Sequence, residues 1–428
     1  MERLLEIARK HADAVTVYGR SETNDTVGFE NGRLKSADSS MSSGAALTLV
    51  KDGKQGLAYT RNLIDREGLV QDAVAALAGG VEAAGDLPQP VKLPALDTAA
   101  DQVGGNALLA DECRRMTDYL SSRVKGQVNA MASHGTSAVR VLTSSGVDAR
   151  CRSTYCVAGA GALYPGTYAQ IHRVSVTKGF KPLPDADLQF IADTYSASVE
   201  EVKGAAGRTR VLFLPETTAA LVWRLDEATC AKAVYERVSP LAGRLGEKIL
   251  SERLTLSDEP LDDSLPFARA IDDEGTPCRN LRLFERGVLK GYYSDRFYAR
   301  KTGTEPTGHG YRADVMSRPR PELRRLVLAP GEHSFADLLR LMGRGVVVAG
   351  VMGAHSGNRL NGEYSVGLAP GLWVEDGAIV GIVKDAMVAG NVYDDLKNVV
   401  GVGDTLWDGN GGRFPCLLLD NVSFSARV

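Results

Sequence analysis

Hydrophobic and polar positions change period several times along this chain, and those changes divide it. Leu4, Leu5, Ile7 and Ala8 recur at helical spacing and predict a short first helix. From Ala14 the period drops to two. Residues 15–18, 26–29, 33–36, 45–50 and 56–60 read as strands, punctuated by Asn31-Gly32 and Asp52-Gly53, dipeptides suited to tight hairpin turns. The pattern predicts an antiparallel meander of about five strands over 14–60, covered on one face by a helix over 62–78. Residues 80–104 hold Pro88, Pro90 and Pro94 among Gly, Ala and Asp and read as an extended connector. Helices are predicted over 111–124 and 188–202, with strands at 137–142, 147–153 and 156–161 between them; Gly204 and Gly207 mark a domain boundary.

The second half opens with a strand over 210–214, and Pro215 then sits in the first turn of a helix continuing through 221–234. Residues 250–300 are rich in turns, with a hairpin around Glu285-Arg286-Gly287. A strand at 323–328 precedes Ser334-x-x-Asp337, a capping-box-like helix start with Asp in the usual Glu position. A buried strand at 346–348 leads into a glycine-dense polar stretch, where Gly350, Gly353, Gly357, Gly362 and Gly367 alternate with His355, Asn358, Asn361, Glu363 and Ser365. A hairpin turning at Asp376-Gly377 follows, then mixed turn and helix over 385–400 and a closing strand at 417–423. The class is α+β: antiparallel sheets with segregated helices, an α/β-meander N-terminal domain over 1–204 and a β-rich C-terminal domain over 208–428.

Length supports that division, because 428 residues exceed what one ordinary core organises. Net charge of -3 gives no basic footprint for nucleic acid. The N-terminus lacks the apolar run of a signal peptide, and no segment approaches the roughly 18 uninterrupted apolar residues of a membrane span. Cysteine usage without paired metal spacing points to free thiols in a reducing, cytoplasmic compartment.

Candidate chemistry is sparse. The histidines are His11, His134, His172, His309, His333 and His355, and none is spaced as in H-E-x-x-H. Cys151 and Cys156 are the one close cysteine pair, read as strand-borne buried thiols rather than a metal knuckle. No phosphate loop and no G-x-S-x-G elbow occur, and Gly401-Val402-Gly403 lacks the third glycine of a dinucleotide turn. Two polar sets remain: His309 with Arg312, and His355, Asn358, Glu363 and Ser365. Either they line a substrate cleft, with His309 or Arg312 meeting a carboxylate or carbonyl, or they are turn residues satisfying loop backbone. Asp385, Asp394 and Asp395 fit a solvated helix face.

Two strings carry a resemblance over nearly the full chain. N-G-R-L-K-S with S-S-G-A-A-L-T-L-V-K-D-G-K-Q-G-L-A-Y-T lies near the start. N-G-E-Y-S-V-G-x₅-W-V-E-D-G-A-I and V-A-G-N-V-Y-D-D-L-K-N-V-V-G-V-G lie near the end. The chain resembles the TldD/PmbA family. That resemblance implies two kinds of subunit, one bearing an H-E-x-x-x-H helix and a later cysteine around a single metal ion, the other (TldE, or PmbA) sharing the fold without those ligands. It also implies a heterodimer enclosing the active site. Here the corresponding helix positions are Trp223, Arg224 and Ala228, the loop 401–412 has no cysteine, and Cys416 lies beyond it. The resemblance therefore implies a TldE-like, non-catalytic subunit with no metal of its own, zinc in a TldD-like partner, and an unfolded peptide bound by strand addition. A homodimeric peptide-binding or regulatory module without an enzyme partner is the alternative. A metal-free enzyme using His309, Arg312 and His355 is a third. A role toward DNA gyrase has also been attached to the family, but no feature here suits direct DNA contact.

Overall fold

The computed structural model describes residues 1–101, 103–409 and 411–426. Gln102, inside the expected connector, and Asn410, inside the loop expected to lack a ligand, lie outside the described residues, as do the last two of the expected C-terminal domain. The fold is α+β and mostly antiparallel, with helices set against the sheets.

The N-terminal sheet has seven strands in the order β4-β3-β2-β1-β5-β6-β7. These are β1 (Ala14–Glu30), β2 (Arg33–Lys51), β3 (Lys54–Thr60), β4 (Val81–Glu82), β5 (Gln127–Thr143), β6 (Asp148–Leu163) and β7 (Gln170–Thr177). Asn31-Gly32 and Asp52-Gly53 all have positive φ, as the hairpin turns require. The meander departs from expectation in length: β1 and β2 each run unbroken where two short strands were predicted. Period-two alternation is visible only where one face is buried. Residues 33–43 of β2 are exposed throughout, so that half of the strand carries no alternation.

Helices α1 (Glu2–Ala8) and α2 (Arg66–Ala78) cover one end of this sheet, burying Leu4, Leu69 and Val70 against Val15, Val17, Leu47 and Leu49. Asp65 caps α2, accepting from the Gly68 N–H at 2.7 Å, so the helix starts four residues later than the sequence pattern placed it. Helices α3 (Asn106–Ser121) and α4 (Asp185–Ala197) build a second core. That core continues from Val128, Ala130 and Ala160 of the N-terminal sheet to Leu212, Leu214, Val347 and Leu372 of the C-terminal half.

The C-terminal half is organised on β8 (Gly207–Phe213), which runs parallel to Gly345–Val348 and antiparallel to Leu417–Ser425 inside a nine-stranded sheet. Its alternation separates two cores: Leu212 faces α3 and α4, whereas Val211 and Phe213 face α5 (Pro215–Thr229). A six-stranded sheet, including Leu256–Asp258, Leu326–Leu328 and Gly412–Phe414, closes over the other side of α5. The capping box at Ser334 and Asp337 is present in both directions. Residues 385–400 differ from expectation, forming the strand Met387–Asn391, the short helix Val392–Asp395 and the strand Val399–Val402. Pairing with Glu363–Leu368 and Leu417–Ser425 imposes those strands on a stretch whose own pattern is turn-like. Among the described residues no helix is long and apolar enough to cross a membrane.

Candidate functional site

Helix α5 follows β8 directly, and Pro215 occupies its first turn, where a missing N–H costs nothing. Thr217 and Thr218 fix that turn, their hydroxyls donating to the carbonyl of Leu214 at 2.9 and 3.1 Å. Leu221, Val222, Leu225 and Ala228 are buried between the two sheets. The opposite stripe stays partly open. Glu216, Ala219, Trp223 and Asp226, spaced by three, four and three residues, line a cleft of about 380 Å³. Its far wall is apolar, with Leu323, Leu326, Val351 and Phe414.

Polar groups mark both ends of this stripe. Asp226 accepts from the Tyr293 hydroxyl at 2.7 Å, and burial pushes its carboxyl up to about 6 despite that hydrogen bond. At the other end, Glu216 pairs with Arg173 of β7, which is sandwiched with its guanidinium carbon 3.8 Å from the Phe190 ring centre and 4.7 Å from that of Trp407.

Arg224 points away from the cleft and is fully buried. Its Nε donates to the carbonyl of Glu363 at 2.6 Å, and its Nη2 to those of Ala354 and Ser356 at 3.1 and 2.9 Å. Burial, with the charge of Arg359 adding to it, lowers its pKa. The guanidinium is thus a clasp, holding the glycine-rich loop 353–362 onto α5. A second clasp lies alongside: Arg359 sits 4.3 Å over the Trp223 ring and pairs with Glu227 at 2.9 Å. The glycines serve this path. Gly357 has φ +87°, and at Gly350 any Cβ would fall 2.0 Å from the carbonyl oxygen of Ala369.

The residues singled out from sequence are distributed over three places. His355 and Asn358 are exposed on the clasped loop, and Glu363, exposed at the start of the adjoining strand, accepts from the Asn358 N–H at 3.4 Å, with Ser365 half-buried two residues on. His309 is fully buried, with Nε2 3.0 Å from Asp258 Oδ2 and Nδ1 2.8 Å from Thr307 Oγ1. Asp258 also accepts from the Arg324 N–H at 3.0 Å, so His309 belongs to a packed polar knot. That knot reaches the cleft indirectly, through the Tyr293 ring 6.1 Å from the His309 ring. Arg312 lines a separate cavity of about 340 Å³ between the two halves of the chain, donating to Thr48 Oγ1 at 3.2 Å. Cys151 and Cys156, five apart on β6, fall on opposite faces; Cys156 is buried and Cys151 is not, so they form no buried pair. Asp395 is buried and accepts from the Tyr364 hydroxyl at 2.7 Å, which corrects its expected place on a solvated face. Glu216 and Asp226 escaped the sequence reading. Their helical spacing was available, but which stripe stays open depends on how the second sheet closes.

Among the described residues no group of His, Cys, Asp or Glu side chains is placed to hold a metal ion. The helix positions that would carry metal ligands present an indole at Trp223, a donor-only guanidinium at Arg224 and a core methyl at Ala228, while Cys416 is buried. The residues present at these positions do not fit a metal centre.

The whole architecture recurs in the crystal structure of TldE from Thermococcus kodakarensis, which superimposes with a TM-score of 0.91 at 23% identity, covering 100% of both chains. Residues 206–426 match the model of the PmbA/TldA metallopeptidase C-terminal domain, and residues 15–84 that of PmbA/TldA metallopeptidase domain 1. The chain belongs to this PmbA/TldD metallopeptidase family. A protein of Methanothermobacter thermautotrophicus described as a metalloprotease is 27% identical over 90% of this chain and 86% of its own length. Metalloprotease PmbA of Escherichia coli O157:H7 is 30% identical over 46% of this chain and 41% of its own.

Proposed function

We propose that this chain is a TldE-like subunit of a two-chain metallopeptidase, itself non-catalytic, which forms part of a peptide-binding chamber in the cytoplasm. The observation that carries the reading is Arg224. At the helix position where the family resemblance implies a metal-site glutamate, a buried guanidinium is bonded to loop carbonyls. A TldD-like partner supplies the zinc and the metal-dependent peptide hydrolysis. This chain contributes a shaped wall: the apolar cleft along α5, rimmed by Glu216 and Asp226, and the loop 353–362 that borders it. An unfolded peptide suits such a wall, because extended backbone offers hydrogen bonds to strand edges with little demand on sequence.

The test is a metal analysis and peptidase assay on the purified chain alone and after addition of a TldD-like subunit bearing H-E-x-x-x-H. The chain alone should hold no stoichiometric zinc and cleave nothing, and activity should appear with the partner. Chelator-sensitive cleavage by the chain alone would overturn the assignment.

A further inference from the structure

On the face of the N-terminal sheet that α1 and α2 cover only in part, a concavity of about 630 Å³ has arginine at five lining positions and no carboxylate among its described lining residues. In a chain of net charge -3 this is a local reversal of sign. Strand register explains both the hollow and its charge. One row across the sheet reads Ala45, Gly19, Arg140, Arg150, and the next reads Ser43, Ser21, Ala138, Arg152. Side chains in such rows share a face, so small residues on β1 and β2 form a low floor beside an arginine bank on β5 and β6.

Not all five guanidinium groups are free. Arg140 is held by both oxygens of Asp148, at 2.9 and 2.7 Å, and by Glu2 at 2.7 Å. Arg20 donates to Glu22 at 2.6 Å and to the carbonyl of Ala313 at 3.0 Å. Arg150 comes no closer than 3.9 Å to Asp148, which Arg140 already occupies. Arg61 and Arg152 make no ion pair within 4.0 Å among the described residues, although the charge of Arg61 reaches Asp314. Three exposed guanidinium groups therefore border the hollow with charge that is at most partly offset: two on one strand, two residues or roughly 7 Å apart, of which Arg150 shares Asp148 with Arg140, and Arg61 on the segment after β3. The Ser21 and Ser43 hydroxyls and the Asn62 amide add neutral donors.

We infer that this hollow is a binding site for a small multivalent oxyanion, a ligand carrying at least two phosphate or carboxylate groups. Guanidinium forks match either group in bidentate geometry, and a single oxyanion could not engage both Arg61 and the β6 pair. The site is separate from the α5 cleft and does not depend on the peptidase reading.

Calorimetric titration of the full chain at low ionic strength, with tripolyphosphate in one arm and citrate in the other, tests this. Saturable one-to-one binding is expected in at least one arm, and the stronger arm identifies phosphate or carboxylate as the preferred group. The double variant Arg61→Gln/Arg152→Gln should weaken it about tenfold or more, and Arg150→Gln alone should weaken it to a smaller degree. All three positions are exposed, so the unfolding midpoint should not move. Arg253→Gln removes an exposed arginine elsewhere and should leave binding unchanged. Absence of saturable binding in both arms, full affinity in the double variant, or equal loss in Arg253→Gln would each overturn the assignment.

Discussion

Arg224 and Glu363 lie 139 positions apart, yet Arg224 Nε donates to the Glu363 carbonyl at 2.6 Å and so fixes where the glycine-rich loop rejoins the sheet. Replacing Arg224 by Met keeps the packing volume and removes the side-chain donors that the carbonyls of Ala354, Ser356 and Glu363 use. The expected cost is roughly 2–3 kcal/mol, because loop carbonyls would lose partners in a partly dry site. Urea unfolding should show that loss, and amide exchange should show lower protection over 354–363 than elsewhere. Unchanged protection there would mean the loop holds itself.

A separate ion pair, Arg173 with Glu216, crosses the chain between its halves. Arg173 and Glu216 are both nearly inaccessible, with side-chain exposures of 1% and 10%. Removing one partner strands the other charge, so Arg173→Met or Glu216→Gln should each cost about 3–5 kcal/mol. The double variant should be more stable than the sum of the two losses predicts, with a coupling of roughly 1–3 kcal/mol in a double-mutant cycle. Additive losses would show that the aromatic sandwich, not the ion pair, holds Arg173.

Asp226 should leave a signature in the pH dependence of stability. Its carboxyl is raised from 3.8 to about 6 in the folded chain, so the folded state binds this proton more tightly than the unfolded state does. The contribution is fully present below about pH 4 and is lost as pH rises through about 6. Asp226→Asn removes the group that must ionise. At pH 7 that variant should gain on the wild type by roughly 2 kcal/mol relative to the difference between them at pH 4. Parallel stability curves for the two proteins across this window would refute the burial argument.

Grafting the family's metal motif should fail. In the triple variant Trp223→His, Arg224→Glu, Ala228→His, the new carboxylate would face the backbone carbonyls that Arg224 now satisfies. The second imidazole would be forced into a site where Ala228 is fully buried. Dialysed protein should contain no stoichiometric zinc and should unfold at lower denaturant than the parent. Tight zinc uptake with intact stability would show that α5 can turn or shift to expose a different stripe.

Turn chemistry was the most legible part of the sequence. Asn31-Gly32, Asp52-Gly53 and Asp376-Gly377 all adopt the positive φ that their residue types favour, and Arg286-Gly287 adopts it with only its glycine favouring it. Local rules suffice for such features. Strand length was less legible, because residues 33–43 of β2 have no buried side to impose alternation. Site residues were the least legible. His309 reads as a loop histidine until Asp258, 51 positions earlier, is brought beside it. Asp226 reads as one more helix carboxylate until Leu323 and Leu326 close over it. In both cases the deciding contact is with an element distant in sequence, which composition and periodicity do not encode.

The core shared by α3, α4 and β8 bears on how far the two halves can move. A hinge between the two halves would have to pull Leu212 and Leu214 away from the α3 and α4 side chains, exposing apolar surface on both sides. The two halves are therefore braced against each other by apolar packing. Arg224 and Arg359 tie the loop 353–362 to α5 beside that braced frame, so loosening these two contacts would free part of the border of the α5 cleft while the two halves stay joined.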